Sequence, residues 1–324
     1  MSREPIVTPE AIKRIARDVG FDLCGIAPAQ IPAEDNERFG AWIERGYHAD
    51  MSAMARHREV RADPRILMKE TQSIICCAVN YNTNHPRSTE AAPARGHAWI
   101  SRFAWGDDYH IVLRAMLKEL ARRIQETLPP SFRLKARACV DSAPLFERSL
   151  AARAGLGWIG KNGALINERL GSYLFLGELL VNLDLPPDAP VADRCGECRL
   201  CLEACPGKAI IESRVVDARR CASYLTIEHR GEFDAALGRI VTRNVFGCDI
   251  CQDVCPWNRR AGVTDKAAFE PRRGGFNPAL AELEALSELD HATRFAGSAV
   301  ARCRYPRFRR NLAAVRTNQE SSAG

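Results

Sequence analysis

Between residues 195 and 256 the cysteines follow a spacing that binds iron and sulfide. Cys195-x2-Cys198-x2-Cys201-x3-Cys205-Pro206 is the bacterial ferredoxin run, whose thiolates wrap a [4Fe-4S] cluster. A second block, Cys248-x2-Cys251-x3-Cys255-Pro256, carries Val245 where the leading ligand of a full run would stand, and Cys221 can fill that gap. In paired runs the fourth cysteine ligates the partner block's cluster. That rule assigns Cys195, Cys198, Cys201 and Cys255 to one cluster, and Cys205, Cys221, Cys248 and Cys251 to the other. Structural zinc also takes four cysteines, but as two CxxC pairs separated by a longer loop. Four cysteines within eleven residues, closed by Cys-Pro, fit a cubane better. No triplet has the CxxxCxxC spacing of a radical S-adenosylmethionine enzyme. The chemistry is therefore one-electron transfer. Cys24, Cys76, Cys77, Cys139 and Cys303 read as small buried hydrophobes.

Three other motifs could carry chemistry. Gly155-x-Gly157-x-x-Gly160 matches a dinucleotide fingerprint, and Gly155-x4-Gly160-Lys161-Asn162 nearly matches a phosphate loop. Both need a strand in front, whereas the residues from Pro144 to Ala154 read as a helix that Gly155 terminates. Asp108-x-His110 matches the start of the DxHxxG motif that offers a histidine to cobalamin. Leu113 occupies the glycine position, so a helix-opening histidine is the simpler reading. Asp141 follows the alternating segment 132–140, where α/β folds commonly place chemistry. The alternative is a helix cap, by Asp141 or Ser142, for the helix that starts at Pro144.

These residues need a scaffold, and the chain is long enough to supply one: 324 residues allow two or three domains. The apolar and charged shares, 46% and 27%, are those of a water-soluble globular protein. The first residues read as an amphipathic helix with Thr8 as cap and Pro9 at its start, rather than a signal peptide or a membrane span. Thirteen cysteines with iron–sulfur spacing point to the reducing cytoplasm. Strands are expected at 22–27, 74–80, 132–140 and 173–181, with a helix through Val112, Leu117 and Ile124 between the second and third. The expected organisation is an α/β (α+β) domain over 1–185, a ferredoxin-like module with two [4Fe-4S] clusters over 186–264, and a short helical, basic segment over 265–324. The last of these holds Arg302, Arg304, Arg307, Arg309, Arg310 and Arg316, with fraying expected from 317.

Several stretches together resemble the epoxyqueuosine reductase family, cobalamin-dependent iron–sulfur enzymes of queuosine biosynthesis. They are Val140-Asp-Ser-Ala-Pro-Leu-Phe-Glu-Arg148, Arg153-Ala-Gly-Leu-Gly-Trp-Ile-Gly-Lys-Asn162, Leu170-Gly-Ser-Tyr-Leu-Phe-Leu-Gly-Glu178, Ser223-Tyr-Leu-Thr-Ile-Glu-His-Arg-Gly231 and Phe246-Gly-Cys-Asp-Ile-Cys-Gln-Asp-Val-Cys-Pro-Trp-Asn258. The family often has Asp-Thr-Gly-Pro where this chain has Asp141-Ser-Ala-Pro144, and larger residues where it has Gly163-Ala164.

The resemblance implies base-off cob(II)alamin held between the first domain and the ferredoxin module, with no protein histidine on cobalt. It places Arg58, Trp158, Lys161, Ser223 and Asp249 near that cofactor or the substrate. It makes Asp141 the proton donor in reduction of the epoxide, an assignment that requires its pKa to rise from about 3.9 toward 7. Burial beside Trp158 is the expected cause. The substrate is then tRNA with a GUN anticodon, which Arg230, Arg307, Arg309 and Arg310 are expected to contact. An external electron donor, no membrane and a monomer complete the expectation. A corrinoid reductive dehalogenase would share the cofactors, but such proteins usually carry a twin-arginine signal. A ferredoxin-type carrier without its own substrate would leave the first 185 residues without a role.

Overall fold

In the computed structural model, which describes residues 7–90, 96–272 and 274–321, the four expected strands form one sheet. Its order is Leu23–Pro28, Ser73–Asn80, Leu174–Val181, Ala136–Cys139, and every pairing is antiparallel. The two central strands read as near-continuous apolar runs because both faces are covered. Side chains alternate between the faces. Ile75, Cys77 and Val79 meet Ile12, Ala16, Leu113, Leu117 and Leu120 of helices Pro9–Val19 and Tyr109–Thr127. Ile74, Cys76 and Ala78 meet Leu150, Ala151 and Ala154 beside helix Glu147–Arg153.

Two local expectations change. The Pro144 helix starts three residues later, at Glu147, and Ser142 donates its hydroxyl to Val140 O instead of capping. Gly155 does follow that helix in the left-handed region, with φ 75°. Because the sheet is antiparallel, the rule that puts sites at the carboxyl ends of parallel strands does not explain the position of Asp141. It simply leaves an edge strand.

A second core cuts across the expected boundaries at 186 and 265. Ala98–Ile100 and Trp105 from the first region, Val241 and Val245–Phe246 from the cluster region, and Leu283, Phe295, Phe308, Leu312 and Val315 from the last share it. Asn244–Phe246 pairs in parallel with Trp99–Ile100, so Val245 stands in a strand and is fully buried. That is why no cysteine sits there. Asp249 ties this junction: it accepts from Trp99 Nε1 (2.9 Å), Arg102 N (2.7 Å) and the Ser101 hydroxyl. The terminal helix Tyr305–Ser321 runs through the stretch expected to fray; 322–324 lie outside the described residues. Among the described residues no helix is long and apolar enough to cross a membrane.

Candidate active site

The eight module cysteines lie close together in the structure. Burial first, then the neighbouring thiols of Cys255, Cys195 and Cys198, push Cys201 up to about 11. Cys251 is driven well above the ordinary thiol range by burial and then by Cys248, Cys221, Cys205 and Cys201. Thiolates so placed repel one another, and a bound cationic metal centre would hold them deprotonated. Among the described residues no three His, Cys, Asp or Glu side chains converge closely enough for a single ion. The first set instead lines a cavity of about 270 Å³ together with Lys161, Asn162, Ile166, Leu200 and Trp257. Cys198 is exposed, while Cys205 and Cys255 are buried.

Lys161 is committed to this cradle. Its Nζ donates to Gly196 O (2.7 Å) and Cys198 O (2.9 Å), which fixes the loop that carries the first ligands. Trp158 is buried beside Cys255 and Cys195 and packs edge-on against Trp257 at 5.0 Å. It therefore belongs to the first cluster's wall and does not supply the expected apolar cover for Asp141. Asp249 is 1% exposed, with its carboxylate occupied as described. Lys161 and Asp249 thus brace the protein through these bonds. The carbonyl of Ser223 accepts from the Thr226 hydroxyl at 3.3 Å, and Arg58 lies against Gly40.

Asp141 lies in a tight turn just after its edge strand, with φ 50°, a left-handed conformation that is costly for a residue with a Cβ. Its carboxylate does not cap a helix. Oδ2 lies 3.0 Å from His110 Nε2 and 3.6 Å from Arg302 Nη1, and Arg302 Nη1 is also 3.0 Å from His110 Nε2. His110 Nδ1 lies 2.6 Å from Asp108 Oδ1. Asp108 also accepts from His110 N at 3.0 Å, so the helix-opening reading of this pair was correct for the backbone and incomplete for the side chain. His110 is buried, whereas the Asp141 side chain is 47% exposed.

The electrostatics reverse the expected shift. Burial pulls Asp141 up, but the His110 hydrogen bond and charge, the Arg302 charge and the Tyr109 hydroxyl outweigh it and hold the carboxyl below its usual range. Burial pulls His110 down, and its hydrogen bonds to Asp141 and Asp108 win, so the imidazole is raised. The resting proton therefore belongs to His110. Behind the turn, Glu147 accepts from the Asp141 backbone N–H. Burial, then the Asp141 charge, pushes Glu147 up to about 7.

The Glu147–Glu178 pair is what sequence reasoning missed, along with the contacts of His110 and Arg302 to Asp141. One signal was visible: Glu178 is the sole charged residue in the apolar strand LFLGELLV.

The basic tail is also used differently. Arg307 donates to Ile227 O (2.7 Å), Arg309 to Glu284 O, and Arg310 to Leu225 O (2.9 Å), His229 O and Gly231 O. Arg310 further lies 3.9 Å from the Phe233 ring centroid. These three clamp the terminal helix onto backbone carbonyls, so they are bracing residues where tRNA contacts were expected. Arg230 and Arg304 are exposed.

Residues 61–142 match the model for epoxyqueuosine reductase QueG, DUF1730, and residues 194–258 match the 4Fe-4S double cluster binding domain. The chain is 41% identical to the epoxyqueuosine reductase of Pseudomonas aeruginosa, covering 98% of this chain and 88% of that one. It is 45% identical to that of Synechocystis, covering 90% and 99%. A crystal structure of epoxyqueuosine reductase with an epoxyqueuosine-modified tRNA-Tyr stem loop superposes with a TM-score of 0.85 at 28% identity, over 97% of this chain and 82% of that one.

Proposed function

The chain belongs to the epoxyqueuosine reductase family, and from that premise we propose how its residues do the work. It is an oxidoreductase of queuosine biosynthesis that acts on tRNA, reducing epoxyqueuosine to queuosine. Two electrons and two protons enter, the epoxide oxygen leaves as water, and an alkene remains. The observation that carries the reading is a half-exposed carboxylate, Asp141, backed by a raised imidazole, in a chain with two four-thiol sets.

Both nitrogens of His110 are engaged by protein groups, which suits a base-off cobalamin that takes no protein histidine, and the Arg58 and Ser223 side chains would hold the cofactor. When bound, it supplies reducing power at carbon that an iron–sulfur cluster alone does not.

The chain's own task is the protons. His110 Nε2 holds one against Asp141 Oδ2, with Asp108 fixing the ring from its other side. Asp141, the exposed member, passes that proton to the departing oxygen, and His110 restores it. Arg302 steadies the carboxylate between deliveries. Electrons from an external donor enter at the first cluster, where Cys198 reaches the surface. The anticodon of a GUN tRNA brings the modified base to the pocket, and exposed Arg230 and Arg304 attract its phosphates.

The test is mass spectrometry of tRNA nucleosides from a strain lacking the protein, before and after its return. Epoxyqueuosine accumulating and then converting to queuosine is expected. Queuosine unchanged in both strains, with no second reductase present, would overturn the reading.

A further inference from the structure

Glu178 is the least explained side chain in the protein. It stands in the inner strand Leu174–Val181, opposite Cys76 on one side and Cys139 on the other, and is 0% exposed. Neither carboxylate oxygen receives a hydrogen bond from an N–H or hydroxyl among the described residues. A leucine would suit that position better if packing were its only purpose.

Its neighbour is the carboxyl of Glu147, which begins helix Glu147–Arg153. Two carboxyls this close in a buried place share a proton because they cannot both ionise. Glu178, the deeper of the two, keeps it: burial, then the Glu147 charge, drives it well above the carboxylate range. Glu147 in turn accepts from the Asp141 backbone N–H.

The cations that act on this group are committed elsewhere through their hydrogen bonds. Arg61 donates to Leu145 O at 2.7 Å, and Arg148 to Gly163 O. Cys76, Cys139, Tyr109 and Asp141 are the remaining titratable groups that face the pair, and none is a cation.

We propose that Glu147 and Glu178 form a buried two-carboxyl latch that holds the Asp141 turn in its left-handed conformation and thereby positions the acid. The inference rests on Asp141 meeting the substrate, as proposed above. Glu147 and Glu178 are positioning residues, since neither side chain touches the Asp141 carboxyl. The strained turn needs such an anchor because Val140, Asp141 and Ser142 make no sheet pairing of their own. A charge-assisted hydrogen bond to the one backbone N–H in the strained residue is the strongest local restraint available.

The test uses the full chain with its clusters, as Glu147→Ala, Glu147→Gln, Glu178→Gln and Glu178→Leu. Hydrogen exchange of the peptide spanning 139–146 reads the latch directly, without the reaction. Exchange about tenfold faster in Glu147→Ala and Glu178→Leu is expected, with strand 174–181 unchanged. Turnover of an epoxyqueuosine stem loop should fall about tenfold or more in kcat, with KM and cluster absorbance preserved. The pH dependence of turnover should also shift in Glu178→Leu, because Glu147 loses the buried carboxyl beside it; a merely structural role would not shift it. Should Glu147→Ala lose its clusters, Glu147→Gln, which keeps the size, decides by the same readouts. Wild-type exchange at 139–146 with wild-type kcat in these variants would overturn the latch. A wild-type protein that does not reduce epoxyqueuosine would instead sink the functional reading, while the exchange result would still judge the latch.

Discussion

Replacing His110 with Asn tests the proton assignment most directly. The substitution removes the imidazole whose Nε2 lies 3.0 Å from Asp141 Oδ2 and keeps a side chain able to donate to Asp108. A hydrogen bond to a charged group contributes about 1.5–3 kcal/mol. With the Asp141 side chain 47% exposed, solvent screening puts this bond at the lower end. Its loss raises the Asp141 pKa back toward the ordinary carboxylate value. Arg302, at 3.6 Å, still holds the anion. The variant's Asp141 therefore stays ionised at pH 7 and has lost its reserve, so single-turnover reduction of an epoxyqueuosine stem loop should slow about 10²-fold or more. Wild-type kcat should hold below the raised His110 pKa and fall as pH rises through it. In His110→Asn that limb should vanish, and residual activity should rise only toward acid, as Asp141 itself protonates. Rates measured from pH 5 to 9 with a chemical reductant, which bypasses the donor, check both points. A variant with the wild-type rate and the wild-type limb would refute the reasoning.

Cys221→Ser should halve the bound iron, and Val245→Cys on that background should not restore it, because Val245 is fully buried in an aromatic core; iron assay decides. Asp249→Asn should cost about 2–3 kcal/mol, since three donors converge on the buried carboxylate, and should appear as a lower denaturant midpoint. Arg230→Glu should flatten the salt dependence of tRNA binding by about one unit of slope. Arg310→Ala should lower stability by about 1–3 kcal/mol through its unpaired carbonyls and lost Phe233 contact, with that slope little changed. Equal effects of the two arginines on both quantities would contradict the division between them. For stability, the raised His110 contributes below its unfolded pKa of about 6.5 and loses that contribution as pH rises through the folded value. An alkaline melting profile in which His110→Asn removes this decline checks the sign.

Ligand spacing is a local property, so a double-cluster module could be read from the chain alone: a cubane demands thiolates a few residues apart, and Cys-Pro ends each run. The strands were legible for the same reason, because alternation and apolar runs are local patterns.

The proton-handling group was not legible, because its members come from four distant segments. Asp108 and His110 open one helix, Asp141 follows an edge strand, Glu178 lies in an inner strand, and Arg302 precedes the terminal helix. Whether a carboxyl is an acid or an anion depends on which charges face it. For Asp141 those are His110 and Arg302, 31 and 161 residues away, so the expected upward shift became a downward one. The arginine-rich tail shows the same division. Composition determined its positive charge, and only tertiary packing decided that Arg307, Arg309 and Arg310 would spend their donors on backbone carbonyls while Arg302 turned toward Asp141.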